Sequence, residues 1–461
     1  MPIFNKSDLQ LNRYEKFLLS QGDKDSLLRS IMAGTAKATR LLYKEDDKIK
    51  KTIWETGADV IGPLYTSFVW WILKNAEKHK IKRLYFMSRD GHILYKIAEL
   101  FKEAWELDVD LRYFNISRQS IFYPSIIDVD TMDAKWFTWN IFSDLTPEIV
   151  LNRLSIKEEE VSDELLKYGV KNIHHRMPFS KKTSFLKFFH EPKVKEIILK
   201  KSDQLNENTI GYLKQEGFAD QIPYAVVDLG WLALSQYALS RLLDKNNCRP
   251  KEGVKGFYLG LNGLFSAYKN DTGHAYMFSP KNYLFKINLI QYELLEIFCS
   301  TRQGRTINYK KDNGKFYPIL SCSDIDKDWP IEAQIESVLH FTRNLLLTLP
   351  LLYKEYTPSD HIAHVFHLFC NYPSKNEADV YGRFLHGADI EEKKKVEISP
   401  QISMKEILKI LRGYYWVQGS ITRSNFIFRP ILIILFTIIN MLRHEILRLS
   451  FRIIFKIKRK T

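Results

Sequence analysis

Residues 83–107 read RLYFMSRDGHILYKIAELFKEAWEL, and this stretch decides the fold class. Its first five residues form a short apolar run that ends at the polar turn SRDG, a pattern typical of a buried strand. From residue 92 onward, apolar side chains recur at the spacing of one face of a helix. A strand, a tight loop and a helix in this order predict the beginning of a βαβ unit.

Three further stretches have the same strand character. They are LRYFNISRQS at 111–120, YAVVDLGW at 224–231 and VKGFYLGL at 254–261, and the second is followed by a helical pattern over residues 232–243. Alternation of short apolar strands with helices favours a parallel sheet between helical layers. We therefore expect an α/β fold with a doubly wound, mainly parallel sheet, large helical insertions and a C-terminal amphipathic helix.

These patterns divide the chain into six segments. Two of them would form the two halves of the sheet, and the others have mainly helical patterns. The expected segments are an N-terminal helical segment (1–50), the first half of the core (51–129), a mainly helical insertion (130–220), the second half of the core (221–325), a helical C-terminal region (326–425) and a basic amphipathic tail (426–461).

Composition limits the class of protein. The 461 residues are 45% hydrophobic and 26% charged, which is enough apolar material for a buried core and excludes global disorder. The four cysteines lie far apart, so a disulfide scaffold and a cysteine zinc site are disfavoured and a reducing compartment is expected. The N-terminus contains no apolar segment of signal-peptide length, which favours a cytoplasmic location.

The C-terminal tail has a charge pattern of its own. Residues 426–461 contain eight Lys and Arg and one Glu, so they hold +7 of the net charge of +14. Four of the basic residues recur at steps of four, four and three and so share one helical face: Arg448, Arg452, Lys456 and Arg459. A basic stripe opposite Ile and Phe predicts a helix that lies on an anionic membrane surface, with peripheral association at the inner membrane. A helix packed on the protein body and a membrane-spanning helix are the alternatives.

Polar loops follow the first two predicted strands. The loops are Ser88-Arg89-Asp90-Gly91 and Asn115-Ile116-Ser117-Arg118. Because ligands of open parallel sheets bind at the carboxyl ends of the strands, these loops form the candidate site. Each loop places a guanidinium beside a hydroxyl, and arginine donates paired hydrogen bonds to phosphate oxygens. The helix that begins at His92 directs its positive end toward the same loop, so the pattern predicts a phosphate or diphosphate site.

A third loop begins at Asp228, directly after the apolar residues YAVV. A carboxylate at the end of a strand is expected to project into the site, where it can hold Mg²⁺ or accept hydrogen bonds from sugar hydroxyls. The residues that lead into the next helix are further candidates for binding substrate: Gly230, Trp231, Ser235 and Gln236. A helix N-cap is the alternative role for this aspartate.

Three parts of the sequence resemble one known family. They are IGPLYTSFVWW and IKRLYFMSRDGHIL within 61–94, YAVVDLGWLALSQ at 224–236 and LLEIFCSTRQGR at 294–305. Over roughly residues 50–320, the chain is similar to the bacterial polysaccharide phosphoribosyltransferases, whose domain is related to the type I phosphoribosyltransferases.

The resemblance implies a reaction and its partners. The enzyme would transfer 5-phosphoribosyl from 5-phosphoribosyl diphosphate (PRPP) to a lipid-linked glycan during synthesis of a ribofuranose-containing O-antigen or capsule. A partner phosphatase would then remove the 5-phosphate. By the same similarity, the Arg89 loop would face the diphosphate, and the loop after Asp228 would hold the ribose 5-phosphate.

This chemistry implies roles for the candidate residues. Departure of diphosphate leaves positive charge on the ribose, so Arg89 and Mg²⁺, the latter held by Asp228, would stabilise the leaving anion. An attacking sugar hydroxyl benefits from a carboxylate base. For that base we consider Asp90 first, Glu296 second and His92 third.

Two other functions are consistent with the sequence. One is a glycosyltransferase that uses a nucleotide sugar on the same doubly wound scaffold. The other is a non-catalytic, membrane-associated scaffold of a polysaccharide assembly complex. Binding of nucleic acid is disfavoured, because Lys and Arg are not interleaved with aromatic residues outside the tail.

Overall fold

A computed structural model describes most of the chain. The described residues are 10–20, 25–129, 133, 137–138, 146–176, 185–263, 265, 267–286, 291–323, 325–349, 356–387, 395–402, 416–424, 430, 432 and 434. The helix expected in the tail, over 426–461, lies outside the described residues apart from three isolated positions. Within the described ranges, no helix is both long enough and apolar enough to cross a membrane.

A five-stranded sheet forms the centre of the protein. Its strands are β1 (Arg83–Met87), β2 (Asp110–Phe114), β3 (Tyr224–Trp231), β4 (Lys255–Leu261) and β5 (Thr272–Phe278). The spatial order is β2-β1-β3-β4-β5, and all four neighbouring pairs are parallel. This sheet confirms the expected α/β class.

Helices and two small antiparallel strand pairs surround the sheet. The helices are α1 (Arg13–Ser20), α2 (Ser26–Arg40), α3 (Lys48–Thr56), α4 (Gly62–Lys78), α5 (Gly91–Trp105), α6 (Arg118–Phe122), α7 (Pro147–Leu154), α8 (Ser162–Lys167), α9 (Pro192–Gln215), α10 (Leu234–Lys245), α11 (Tyr283–Lys286), α12 (Tyr292–Phe298), α13 (Ile331–Thr348), α14 (His364–Asn371), α15 (Lys375–Gly382) and α16 (Val417–Arg423). A π-helix (Gly57–Ile61) joins α3 to α4, and 3₁₀ turns occur at Glu158–Glu160 and Leu186–His190. The strand pairs are β6 (Thr306–Asp312) with β7 (Lys315–Leu320) and β8 (Leu385–Gly387) with β9 (Lys395–Glu397).

Both faces of the sheet are covered by helices. Successive side chains of a strand point to opposite faces. On one face, Leu84 and Phe86 of β1 belong to a core with α4, α5 and α13. On the other face, Tyr85 and Met87 pack in a core with α6, α9 and α10. All four side chains are at most 2% exposed, so β1 is buried on both faces, as its continuous apolar run predicts.

The structure differs from the predicted elements at two places. The strand expected over 111–120 ends at Phe114, because Ser117 caps the short helix α6 instead. β5 and the β6–β7 hairpin are not among the predicted elements. β5 follows β4 after only the ten residues 262–271, whereas a parallel connection usually takes a dozen or more.

The expected insertion contains a core of its own. This core includes side chains of α7, α8 and the beginning of α9, whereas the later part of α9 packs on the sheet. Arg241 of α10 donates to both carboxylate oxygens of Asp133, at 2.9 and 3.1 Å, and both side chains are buried. This paired hydrogen bond attaches the helical unit to the layer beside the sheet.

A buried acidic side chain lies in the π-helix. Asp59 is 2% exposed, and one of its oxygens accepts from Asn12 Nδ2 at 2.6 Å. Its other oxygen has no hydrogen-bond partner among the residues that the structure describes. Burial raises the pKa of Asp59 well above its usual value, and the nearby charge of Glu15 raises it further, against a smaller opposite effect of Arg40. Asp59 is therefore held as a neutral acid at pH values where an exposed aspartate is charged.

We expect Asp59→Asn to stabilise the protein increasingly as the pH rises. A group whose pKa is raised by folding stabilises the folded state fully below its unfolded-state pKa and loses that contribution as the pH rises through its folded pKa. The difference in free energy of unfolding between Asp59→Asn and wild type should increase in favour of the variant by about 1 kcal/mol or more when the pH is raised from roughly 5 to 9. One pKa unit corresponds to about 1.4 kcal/mol. Urea unfolding at both pH values measures this difference.

The control for this measurement is Asp46→Asn, since Asp46 is exposed. Its effect on the free energy of unfolding should be the same at both pH values. A pH-independent effect of Asp59→Asn would contradict the assignment of a raised pKa.

Candidate functional site

The strand order creates a crevice beside β1. β2 lies on one side of β1 and β3 on the other. The helix that follows β1 packs on one face of the sheet, and the helix that follows β3 packs on the opposite face. In doubly wound sheets, ligands bind at such a reversal, outside the carboxyl ends of the strands. The loops that begin at Ser88, Asn115 and Asp228 all lie at this edge.

Two serine hydroxyls hold the first two loops in place. Ser88 Oγ donates to the Ile116 carbonyl at 2.9 Å and accepts from the Ile116 amide at 3.0 Å. Ser117 Oγ donates to the Thr306 carbonyl at 2.6 Å and accepts from the Ser120 amide at 3.1 Å as the N-cap of α6. A hydroxyl has one proton to donate. The role of phosphate donor that we expected for both serines is therefore corrected, because both protons are bound to the main chain.

Gly91 determines where Asp90 lies. Gly91 is the first residue of α5, and a Cβ atom there would be 2.8 Å from the carbonyl carbon of Phe86. Only glycine allows the helix to begin this close to β1. Asp90 consequently occupies the N-cap position, but its side chain makes no capping hydrogen bond. Its carboxyl group is available to the crevice, at the end of α5 where an anion is favoured.

Four charged side chains surround Asp90. Burial raises the pKa of Asp90 well above its usual value, and the charges of Asp228 and Glu296 raise it further. The guanidinium groups of Arg89 and Arg118 act in the opposite direction. Such interactions weaken with distance, so the five side chains lie near one another at this edge of the sheet. We call these five residues the charge cluster.

Asp228 is the second aspartate of the charge cluster. Its Oδ1 accepts from its neighbour, the Leu229 amide, at 2.9 Å. Burial raises the pKa of Asp228 to about 7, with the charge of Glu296 adding to the effect and Arg118 opposing it. Because the pKa of Asp90 is raised as well, both aspartates hold a proton to higher pH than an exposed aspartate does.

The last residues of β3 and the two that follow the strand, 228–233, have an unusual backbone, and we call them the loop after β3. Gly230, Trp231 and Ala233 have φ of 110°, 63° and 53°. At Gly230, a Cβ atom would clash with the carbonyl oxygen of Gly260, so this position requires glycine. Left-handed conformations are costly for Trp and Ala and are often found where a site demands them. The loop turns sharply from β3 into α10, which begins at Leu234.

Trp231 positions Glu296. Trp231 Nε1 donates to Glu296 Oε1 at 2.9 Å. The indole ring is stacked on Phe278, with the centroids 6.0 Å apart, and meets the edge of Tyr292 at 4.5 Å. One turn before Glu296, burial raises the pKa of Glu293 to about 7. The tryptophan that we expected to bind substrate therefore holds a member of the charge cluster.

Gln236 does not reach the crevice. It is 2% exposed, and its Nε2 donates to the Val254 carbonyl at 2.8 Å. Its Oε1 accepts from the Tyr258 hydroxyl at 2.6 Å. Since both ends of the amide are used between α10 and β4, the substrate-binding role that we expected for Gln236 is corrected to a structural one.

Two other expected residues lie in the first turns of helices. His92 of α5 meets the edge of Tyr113, with the ring centroids 5.7 Å apart. Burial and the charge of Lys96 lower the pKa of His92, so its imidazole is neutral at neutral pH. Ser235 is half-buried in the first turn of α10. Both remain near the loops whose helices they begin.

The sequence analysis missed an uncharged network at the same rim. The Tyr113 hydroxyl donates to Gln303 Oε1 at 2.6 Å, and Gln303 Nε2 donates to Asn115 Oδ1. The charge of Asp90 contributes to a raised pKa of Tyr113, which therefore lies close to the charge cluster. Nothing in the spacing of these residues pairs them, although Gln303 lies within the segment LLEIFCSTRQGR that carries the resemblance.

The chemistry of the charge cluster suits a metal ion that is held jointly by the protein and by a bound substrate. Among the described residues, no group of three or more His, Cys, Asp and Glu is arranged to hold a metal ion. Mg²⁺, however, is commonly held by one or two carboxylates together with substrate phosphates and water. Asp228 is such a carboxylate, and a cation would favour its charged form.

Comparison with models of protein families finds no match for this chain, and comparison with curated proteins finds none either. A function for the chain therefore rests on the chemistry of the charge cluster and on the resemblance of the segments around it.

We expect Gly230→Ala to destabilise the protein by about 2–4 kcal/mol, because the methyl group would meet the Gly260 carbonyl in addition to the strained backbone. Gly314→Ala is the matched control. Gly314 also has a positive φ, 77°, but nothing lies within 4 Å of its Cβ position, so its substitution should cost only about 1 kcal/mol. Urea unfolding of both variants makes the comparison, and equal losses would show that the loop after β3 is not closely packed.

Proposed function

We propose that the chain is a PRPP-dependent phosphoribosyltransferase that transfers 5-phosphoribosyl to a lipid-linked glycan acceptor and releases diphosphate. The observation that carries the proposal is the charge cluster. Two guanidinium groups and three carboxylates from separate segments meet at the carboxyl ends of parallel strands. A doubly phosphorylated pentose needs both kinds of group, cationic for its phosphates and anionic for its hydroxyls and cation.

Arg89 and Arg118 are assigned to the diphosphate. Both guanidinium groups act on Asp90, and they come from the loops after β1 and β2. Guanidinium groups donate paired hydrogen bonds to phosphate oxygens and remain charged at any working pH. An anion develops on the diphosphate as the C1–oxygen bond breaks. Such groups contribute mainly by stabilising this anion electrostatically.

The loop after β3 is assigned to the ribose 5-phosphate. Its backbone turns into α10 through three residues with positive φ, so the amides at the start of α10 are available to an anion. Asp228 would hold Mg²⁺ together with the diphosphate. When bound, Mg²⁺ supplies positive charge to the departing diphosphate.

Asp90 is assigned as the base that accepts the proton of the acceptor hydroxyl. Its carboxyl group is not used by α5, and its raised pKa makes its carboxylate a stronger base than that of an exposed aspartate. Glu296, held by Trp231, is the second candidate. Transfer forms the bond between ribose C1 and the acceptor oxygen, breaks the bond from C1 to diphosphate, and leaves the proton on the base.

The biological setting follows from this acceptor. A lipid-linked glycan lies at the inner membrane, where the basic tail over 426–461 would associate with anionic lipid. The product carries a 5-phosphate, so a phosphatase must act after it to produce ribofuranose in a surface polysaccharide. This places the enzyme in the cytoplasm, peripherally at the membrane.

The test is release of diphosphate from PRPP by the purified full-length chain, with Mg²⁺ and a lipid-linked glycan acceptor. We expect Asp90→Asn to lower the rate at least about 100-fold, the usual contribution of a positioned acid or base. Arg89→Ala should lower it similarly, because a developing anion loses a donor. Asp108→Asn is the control, since Asp108 is exposed and pairs only with Lys82 in the part that the structure describes.

The outcomes separate the alternatives. Wild-type release by Asp90→Asn would remove that residue from the role of base and direct attention to Glu296→Gln. Consumption of a nucleotide sugar without any use of PRPP would favour the nucleotide-sugar glycosyltransferase. If the variants of Arg89, Asp90 and Asp228 support polysaccharide assembly in cells as wild type does, the protein is a scaffold.

The rate should also depend on pH in a manner set by the charge cluster. If Asp90 and Asp228 act as carboxylates, kcat/KM rises with pH and levels off above a pKa near 7 or higher, because their pKa values are raised in the free enzyme. Glu296→Gln removes a charge that raises both pKa values. Any remaining activity of that variant should therefore reach its plateau at lower pH. A plateau already reached near pH 5 in wild type would contradict the assignment.

A further inference from the structure

The β6–β7 hairpin projects from the rim of the charge cluster. Its strands pair antiparallel and are joined by a tight turn in which Asn313 and Gly314 have positive φ. At its base, the Thr306 carbonyl accepts from Ser117 Oγ at 2.6 Å, and the Tyr309 hydroxyl donates to the Asn115 carbonyl at 2.9 Å. The hairpin is therefore joined directly to the loop that carries Arg118.

One face of the hairpin is packed on α9, which fixes its direction. Tyr309 is buried and stacks on Tyr212, with the ring centroids 4.6 Å apart. The ring of Phe316 occupies the space where Gly211 has no side chain. Gln215 bonds both the amide and the carbonyl of Phe316, at 2.8 and 2.9 Å. These contacts hold the hairpin against α9.

The rest of its surface is exposed and includes a group of apolar side chains. Four of the fourteen large hydrophobic side chains that are exposed in the described part of the chain lie within these fifteen residues: Ile307 (38%), Tyr317 (44%), Ile319 (39%) and Leu320 (40%). Single exposed apolar residues are ordinary, but a group of them marks a contact surface. Such a group beside a candidate site indicates that a partner binds there.

The charges of the hairpin indicate what that partner is. Lys310, Lys311 and Lys315 are exposed on the same projection, against the single acid Asp312. Lys310 lies opposite Tyr317 in the strand register, so a cation and an aromatic hydroxyl are neighbours. Tyr with Lys around aliphatic side chains is the combination found at membrane interfaces, where Lys binds anionic headgroups and the apolar groups enter below them.

We propose that the β6–β7 hairpin inserts into the headgroup region of an anionic bilayer and holds the charge cluster at the membrane surface. A strand of six or seven residues spans roughly 20 Å. The contact between hairpin and lipid does not depend on the proposed function. Presentation of a lipid-linked acceptor to the charge cluster by the membrane does rest on that function. This contact is distinct from that expected of the tail, because it comes from the rim itself.

The experiment places an environment-sensitive fluorophore on the hairpin of the full-length chain. Cys322 is exposed and Cys248 is half-buried, so both are first replaced by serine, whereas Cys299 and Cys370 are buried and are kept. Tyr317→Cys is then labelled with a nitrobenzoxadiazole group. The control is Leu347→Cys, because Leu347 is 84% exposed on α13, which covers the opposite face of the sheet. Both labels report their own surroundings, so membrane binding by the tail cannot substitute for insertion of the hairpin.

Vesicles of mixed phosphatidylglycerol and phosphatidylcholine should shift the emission at position 317 to shorter wavelength and raise its intensity severalfold, with no change at position 347. Replacing Lys310, Lys311 and Lys315 together by Gln should raise the lipid concentration for half of this response at least about tenfold, because each cation near an anionic surface contributes to binding.

An unchanged signal at 317 while the protein sediments with the vesicles would overturn the proposal. So would a blue shift without lipid that accompanies a doubled molar mass, which would identify a second copy of the chain as the partner.

A separate rate measurement connects the hairpin to the proposed function. With a glycan acceptor freed of its lipid, Tyr317→Ser/Ile319→Ser should release diphosphate at the wild-type rate. With lipid-linked acceptor in vesicles, its rate should fall severalfold. If wild type does not use PRPP at all, the proposed function fails, but the fluorescence result at position 317 still decides the membrane contact.

Discussion

β1 and β3 pair in parallel across the whole of the expected insertion, with Phe86 opposite Val227. This pairing brings Asp90, in the loop after β1, and Asp228, the first residue of β3 beyond its pairing with β1, to one crevice. β2 extends the same edge and adds Arg118. If the strands were shifted by a few residues or separated by another strand, the charge of Asp228 would no longer raise the pKa of Asp90. The site is therefore a consequence of strand order and register before it is one of side-chain chemistry.

Burial of several charges at one place is costly unless they offset one another. The charge cluster contains three carboxylates and two guanidinium groups, a small imbalance toward acid. Burial is the main cause of the raised pKa values of Asp90 and Asp228, and at Asp90 the charges of Asp228 and Glu296 add to it. A ligand that brings a cation and takes up the guanidinium groups removes the imbalance. Sites that bind phosphorylated sugars with Mg²⁺ have this property, and a solely structural ion-pair network would be expected to balance its charges without a ligand.

The rim of the crevice is assembled from parts that are distant in the sequence. Ser88 and Ser117 hold the first two loops, and Ser117 also holds the base of the hairpin. Trp231 reaches from the end of β3 to Glu296 on α12. Residues that resemble substrate ligands in the sequence are thus used to fix the residues that do face the crevice. Because Ser117 bonds the base of the hairpin, a partner that contacts the hairpin lies close to Arg118.

The sequence by itself determined the α/β class, the buried character of β1 and β3, and the positions of Arg89, Asp90 and Asp228 at strand ends, because these depend on local periodicity and on turns of a few residues. It also indicated Glu296, through the segment that carries the resemblance. Only the tertiary structure decided that Gln236 is buried in hydrogen bonds to β4, that both serines bind the main chain, and that Trp231 holds Glu296. Those partners lie up to about 190 positions apart, and a hydrogen bond between such residues has no signature in spacing. The strand order and the β6–β7 hairpin were likewise decided in three dimensions, since pairing depends on which surfaces remain to be buried after the helices have packed.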